Sequence, residues 1–462
     1  MTMSRSLLCL LIASATPLAS AATAAGNLIV RAGHVLDIET GTVRVDQDIR
    51  IENGRIRSIA PHAAGQPGAT PRLDWSALYV VPGLMDMHTH LADEGQTADP
   101  GAPLHSTPAR DAFIGANNAR LTLQAGFTTV RDVGVYRGFA DVALRDAINA
   151  GLVPGPRMFV AGAYITIPGG GGEITGLPKG TVVPEEFRRG VSKGVEDVRR
   201  HVNDILDHGA DFIKVIATGA VLTAGTEPGQ SEYSEAEIRA AVEEAARRGT
   251  FVAAHAHGAE GIKRAVRAGV RSIEHGSLID DEGIALMKEH GTWLDADIYN
   301  GDYIDTVGRE QGWSAEILRK NTETTEAQRE GFRKAVKAGV KISFGTDAGV
   351  YPYGDDARQF AYMVRYGLTP LQAIQSATID SARLLDKEKD LGSIAVGKRA
   401  DLVAVACDPL RDIECLRQVR GVVKDGEPVC LDAAQHDPSP PTVVPALRQA
   451  QDGPDSVRAG TQ

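Results

Sequence analysis

Two histidines spaced i, i+2 close an apolar run, Val80-Val81-Pro82-Gly83-Leu84-Met85-Asp86-Met87-His88-Thr89-His90. On an extended chain, residues two apart leave from the same face, so both imidazoles can reach one point. Two neutral imidazoles at one point are a donor set for a borderline divalent cation. Further along, Lys214 sits inside the apolar run Asp211-Phe212-Ile213-Lys214-Val215. Three more runs end in His255-Ala256-His257, Glu274-His275-Gly276 and Gly345-Thr346-Asp347. Each group has an ordinary use when taken singly. A lone histidine at a strand end is commonly a hydrogen-bonded core residue. An aspartate after Gly-Thr is often a helix cap, and an ion pair would explain a buried lysine. Five such runs in one chain, led by the His-x-His, point instead to a metal site.

Lys214 narrows the chemistry. An ammonium cannot ligate a cation, and burying one is unfavourable unless it is neutralised or paired. Reaction with carbon dioxide would turn it into a carbamate, a long carboxylate able to bridge two divalent metal ions. Such a pair, about 3.5–4 Å apart, can share a hydroxide of lowered pKa. Zinc (Zn2+) is the cation that a histidine-rich set favours.

These groups need a scaffold that brings distant run ends to one rim. Apolar strand-like runs alternate with helical patterns through the middle of the chain. The strands expected are 79–87, 128–132, 157–161, 212–217, 251–255, 272–275, 292–297 and 341–346, with helices such as 235–248 and 324–338 between them. Eight βα units predict an α/β chain folded as a closed (β/α)8 TIM barrel, whose functional groups sit at the C-terminal strand ends. A doubly wound open sheet is the alternative. Residues 27–80 read as short strands around the Asn53-Gly54 turn, and a similar grain returns near Asp425-Gly426. A small β-sandwich built from both termini is therefore expected. The division is 22–80 for its N-terminal part, 81–383 for the metal-dependent barrel, 384–435 for its C-terminal part and 436–462 for a disordered tail.

The beginning of the chain reads as an export signal over residues 1–21: Arg5, an apolar stretch from Leu7 to Ala13, then Ala19-Ser20-Ala21. The expected location is periplasmic or secreted, with no membrane contact once the signal is cleaved. Removal of the signal takes Cys9 away and leaves Cys407, Cys415 and Cys430, of which one pair can form a disulfide and leave a free thiol. A net charge of −11 with no basic stretch argues against a nucleic-acid partner.

With these residues in view, the sequence resembles the amidohydrolase superfamily. The likeness runs through Pro82 to His90, Gly126-Phe127-Thr128-Thr129-Val130-Arg131-Asp132, Ile273-Glu274-His275-Gly276, Gly345-Thr346-Asp347 and Gly392 to Val403. Phe212-Ile213-Lys214 and His255-Ala256-His257-Gly258 carry a narrower likeness to the imidodipeptidase branch, which holds prolidases, Xaa-Arg/Lys carboxypeptidases and ochratoxin-hydrolysing amidohydrolases. The resemblance implies that His88, His90 and Asp347 hold one metal, that His255 and His275 hold the second, and that carboxylated Lys214 bridges them. Asp347 would also carry the proton from the bridging hydroxide to the leaving amine. His257 would hydrogen-bond the scissile carbonyl or the substrate carboxylate. Tyr233, Tyr299 and Tyr353 are further substrate-contact candidates, and Gly169 to Gly172 form an active-site loop.

The function implied is hydrolysis of the amide bond to a C-terminal amino acid. Substrates would be dipeptides, N-acyl amino acids, or ochratoxin A, which would give ochratoxin alpha and phenylalanine. The assembly implied is a homo-oligomer, with octamers among relatives. A lactonase, a cyclic-amide hydrolase or a deaminase on the same fold is the alternative, and Lys214 argues against the mononuclear deaminases. The non-enzyme alternative is an exported metal- or solute-binding protein.

Overall fold

The computed structural model describes residues 27–63, 70 and 72–431. The expected signal segment and the tail beyond 436 lie outside the described residues. No described helix is long and apolar enough to cross a membrane.

The described residues start with four strands: β1 (Leu28–Leu36), β2 (Val43–Glu52), β3 (Arg55–Pro61) and β4 (Arg72–Pro82). Asn53-Gly54 turns β2 into β3 with both residues left-handed, as the hairpin signal demands. Nine barrel-region strands follow: β5 (Leu84–Thr89), β6 (Phe127–Asp132), β7 (Arg157–Val160), β8 (Tyr164–Ile165), β9 (Ile213–Ile216), β10 (Val252–Gly258), β11 (Ser272–Leu278), β12 (Trp293–Asp295) and β13 (Lys341–Ser343). The chain then returns to the first sheet with β14 (Leu402–Val405), β15 (Val419–Lys424) and β16 (Glu427–Pro428).

The two ends of the described region form one seven-stranded sheet, ordered β16-β15-β14-β4-β1-β2-β3. Strand β4 sits in its middle, parallel to β1 and antiparallel to β14. The sheet has its own core, with Val30, Ile49, Ile51, Leu402, Ala404 and Val423 fully covered.

The expected strand 79–87 is in fact two. Its first half belongs to β4 and its second half to β5, divided at Gly83. A Cβ at Gly83 would lie 2.2 Å from Thr128 Oγ1 and 2.7 Å from Asp401 Cβ, so only glycine lets the chain pass from sheet to barrel there. The periodicity could not reveal this break, because both halves are buried.

The barrel is the parallel series β5-β6-β7 and β8-β9-β10-β11-β12-β13. Its third stave is interrupted: β7 pairs with β6, and β8, just beyond Gly162, pairs with β9. Closure between the last and first strands runs through Met87 N to Phe344 O at 2.7 Å and Asp347 N to His88 O at 2.8 Å. Some of the helices after the strands begin at side-chain caps, as where Ser234 and Glu237 form a capping box for Glu235–Arg247.

The helix expected over 324–338 spans Ala315–Ala338, capped by Ser314. Its first turns were hidden from periodicity because the buried face there is polar: Lys320, Asn321, Thr324 and Gln328 point inward. That face serves the site.

Candidate metal centre

The C-terminal strand ends meet around a cleft lined by His88, His90, Lys214, His255, His257, His275 and Asp347 among others. Within it, one ligand atom each from His88, His90 and Asp347 lies within 4.8 Å of the others. The same holds for His255, His257 and His275, and for His275, Asp297 and Asp347. The grouping places His257 among the converging imidazoles.

Each imidazole is oriented by a partner on its far nitrogen, which fixes the nitrogen left for a cation. His88 Nδ1 meets Glu274 Oε2 at 3.0 Å, His275 Nδ1 meets Asp297 Oδ1 at 3.0 Å, and His90 Nδ1 meets the Gly134 carbonyl at 2.7 Å. With Nδ1 donating, Nε2 is the free donor atom in all three. His88 Nε2 and His90 Nε2 then lie 3.4 and 3.1 Å from Asp347 Oδ1. His255 is turned the other way: its Nε2 donates to the Gly219 carbonyl at 3.2 Å, leaving Nδ1.

The backbone is bent to the purpose. His275 and Asp347 are both left-handed, with φ of 69° and 57°. Such conformations are uncommon without glycine and gather at functional sites. Asp86 ties the first strand to the last, accepting from His88 N at 3.0 Å, Thr346 N at 3.1 Å and Thr346 Oγ1 at 2.5 Å.

Behind His88 stands a buried charge network that the sequence reading missed. The Arg131 guanidinium, fully covered, bonds the Met87 carbonyl at 2.6 Å, Ser272 Oγ at 2.8 Å and both oxygens of Glu274 at 2.9 and 2.8 Å. Removing the arginine leaves an unpaired carboxylate in the barrel. Arg131→Met should therefore lower stability by about 3–5 kcal/mol, measured by chemical denaturation of the metal-free protein. Loose orientation of His88 should weaken metal affinity by about 10–100-fold in the fraction that folds.

Burial sets the protonation states. Desolvation, aided by neighbouring cationic groups, pushes His88, His255 and His257 well below the usual histidine range, so they are neutral imidazoles. Burial would lower His90 too, but its hydrogen bond to Asp347 prevails and raises it to about 9. A cation held by this pair must displace that proton. Lys214 is 2 % exposed and lines the cleft, and burial lowers its amine to about 8. Neutral imidazoles with defined donor atoms, a carboxylate and an easily deprotonated amine fit divalent cations.

The three tyrosines expected at the substrate do not line the cleft. Tyr233 is buried, and its hydroxyl bonds Ser192 Oγ and the Ser192 carbonyl, both at 2.9 Å. Tyr353 donates to the carbonyls of His90 and Asp93, at 2.8 and 3.0 Å, so it braces the wall. Tyr299 packs against Tyr351 and Tyr362. The hydroxyls of Tyr233 and Tyr353 serve the backbone, and the ring of Tyr299 packs among other tyrosines. The cleft is lined instead by Tyr136 and Tyr164, the latter with its hydroxyl 3.1 Å from His90 Nδ1.

Gly171 and Gly172 of the expected loop do line the cleft, with Gly171 N bonded to the Glu232 carboxylate at 2.8 and 3.1 Å. The facing loop is held by Lys320. Its fully buried ammonium donates to the carbonyls of Ala220, Thr223 and Thr226 at 3.1, 2.7 and 3.0 Å.

Residues 79–429 match the Amidohydrolase family. The chain belongs to that family. It is 34% identical to ochratoxinase of Aspergillus niger over 358 residues, which cover 74% of this chain and 73% of the relative. Among solved structures, a Xaa-Pro dipeptidase with methionine bound in its active site superposes with a TM-score of 0.81 at 37% identity, covering 87% of this chain and 99% of that one. A prolidase complexed with N-methylphosphonate-L-proline gives a TM-score of 0.80 at 33% identity, covering 88% and 100%. The family assignment makes this amidohydrolase a hydrolase of amide or peptide bonds with small-molecule or peptide substrates, carried on a TIM barrel beside a β domain.

Proposed function

We propose that this amidohydrolase is a binuclear zinc enzyme that cleaves the amide bond to a C-terminal amino acid, in dipeptides, N-acyl amino acids or ochratoxin A. The observation that carries the reading is the meeting of Lys214 with histidines and Asp347 from five barrel positions in one cleft. His88, His90 and Asp347 would hold one cation, His255 and His275 the other, and a carbamate on Lys214 would join them. Bound there, the cations would polarise the scissile carbonyl and acidify the attacking water.

The chain's own groups do the rest. An amine lowered to about 8 is readily available in its neutral form, which adds to carbon dioxide. A nitrogen–carbon bond forms and one amine proton leaves to solvent. Asp347 accepts a proton from the attacking water and returns it to the amine nitrogen as the carbon–nitrogen bond breaks, which regenerates the carboxylate. His257 Nδ1 lies 2.7 Å from Ser277 Oγ. With the serine hydroxyl donating, His257 Nε2–H is free to donate to the carbonyl or carboxylate of the substrate. Val221, Leu222, Ile304 and Val350 give the cleft an apolar wall for an acyl or aromatic group.

The relatives support the substrate class: one binds methionine in its active site, another a proline phosphonate, and a third is an ochratoxinase. The Cys407–Cys415 disulfide, with Cα atoms 5.5 Å apart, supports export to an oxidising compartment.

The test is a hydrolysis screen on purified protein supplied with zinc and bicarbonate, scored by free amino acid released. The panel holds Xaa-Pro, Xaa-Phe and Xaa-Arg dipeptides, N-acyl amino acids, ochratoxin A, an aryl lactone and a cyclic amide. Release from C-terminal amides is expected. Turnover confined to the lactone or the cyclic amide would overturn the assignment.

A further inference from the structure

Asn300, in the segment after β12, faces two carboxylates at once. Its Nδ2 donates to Asp297 Oδ2 at 2.6 Å and to Asp347 Oδ2 at 3.3 Å. An amide nitrogen carries two hydrogens, so these bonds exhaust it. The orientation is one-way, since a flipped amide would set its oxygen against two carboxylate oxygens. The opposite end shows what that choice costs: Asn300 Oδ1 is buried with no partner among the described residues. The nitrogen side therefore decides the rotamer.

The segment is also clamped. Asn300 N donates to the Asp297 carbonyl at 3.1 Å, and the Gly301 carbonyl accepts from Asn321 Nδ2 at 2.9 Å. Asp347 is thus held by Oδ2 on one side while Oδ1 faces His90 Nε2 and His88 Nε2 at 3.1 and 3.4 Å.

We infer that Asn300 is a positioning residue for Asp347, dividing the carboxylate so that Oδ1 serves the cation pocket and Oδ2 the proton bound for the leaving amine. The inference rests on the proton role given to Asp347 in the proposed function. In that step the proton on Oδ2 passes to nitrogen as the carbon–nitrogen bond breaks, and the acyl carbon keeps the hydroxyl of the water. A carboxylate free to turn would present the wrong oxygen for part of the time, and misplacement is heavily penalised in such transfers.

The test compares N-acetylphenylalanine with an aryl ester whose phenolate departs without a proton, in wild type and Asn300→Leu. In the variant, kcat on the amide is expected to fall about 100-fold and kcat on the ester less than about 5-fold, with KM within about 3-fold on both. Metal analysis should show the stoichiometry of the wild type. Equal losses on both substrates, or loss of bound metal, would make Asn300 part of the scaffold and overturn the inference. If the leucine variant fails to fold, Asn300→Ser, with a single short donor, allows the same comparison. A crystal structure of either metal-loaded variant gives a reading independent of turnover: a rotated Asp347 carboxylate is expected, and an unmoved one overturns the inference. A wild-type enzyme silent on every amide signals failure of the amidase reading itself, and the crystallographic arm then decides the role of Asn300.

Discussion

Asp347→Asn should lower kcat by about 10²–10⁴-fold while the protein still folds and still carries metal. The substitution keeps the shape of the side chain and one oxygen able to face His88 and His90, so part of the cation pocket survives. What disappears is the capacity to take up and release a proton. The carboxylate sits where that capacity matters, between two imidazoles and Asn300, and its ion pair with His90 holds it below the usual carboxylate range against the opposing effect of burial. Turnover and metal content must be measured on the same preparation. Turnover lost with metal retained marks a hydrolase, whereas metal retained with no turnover in either the wild type or the variant marks a binder.

The second large effect has opposite signs in stability and activity. Lys214 brings an ammonium into the barrel with almost no solvent, and burial has already lowered it to about 8. Lys214→Met keeps the length of the side chain and discards the charge, so the metal-free protein should gain about 1–3 kcal/mol. The same variant should bind less zinc and lose at least about 100-fold in turnover, because nothing then joins the two histidine clusters. Metal-free wild type dialysed free of carbon dioxide should regain activity slowly with zinc alone and rapidly with zinc plus bicarbonate. Labelled bicarbonate should give a carbamate carbon signal that is absent from Lys214→Met. Equal recovery with and without bicarbonate would remove the carbamate from the mechanism.

What could be read from the sequence follows physical range. His88 and His90 needed only the period of a strand, and Lys214, His255, His275 and Asp347 needed only the rule that a barrel gathers its strand ends. Their convergence in one cleft was therefore legible. The groups that aim them were not. Glu274 and Arg131 meet across 143 residues, and Asn300 reaches Asp347 across 47, so no local pattern marks either pair. The tyrosines failed for a related reason. Proximity to a rim loop says nothing about where a hydroxyl finds its partner, and Tyr233 and Tyr353 spend theirs on carbonyls inside the walls. The early turns of the helix Ala315–Ala338 escaped because lysine and asparagine on a buried face look like a solvent face until the loops they hold are seen.

The seven-stranded sheet also sets an order of events during synthesis. Strand β4 has two neighbours, and one of them, β14, is more than three hundred residues away: Val80 lies opposite Ala404. While the ribosome is still making the barrel, β1 to β4 can pair among themselves, but the far side of β4 presents an open row of amides and carbonyls that only the end of the chain covers. Open strand edges recruit other chains, and long-range pairing is slow to form. A nascent or truncated chain that stops short of β14 is therefore exposed to aggregation even with its catalytic half complete, and a chaperone that shields β4 until release would act on the strand that joins the two ends of this protein.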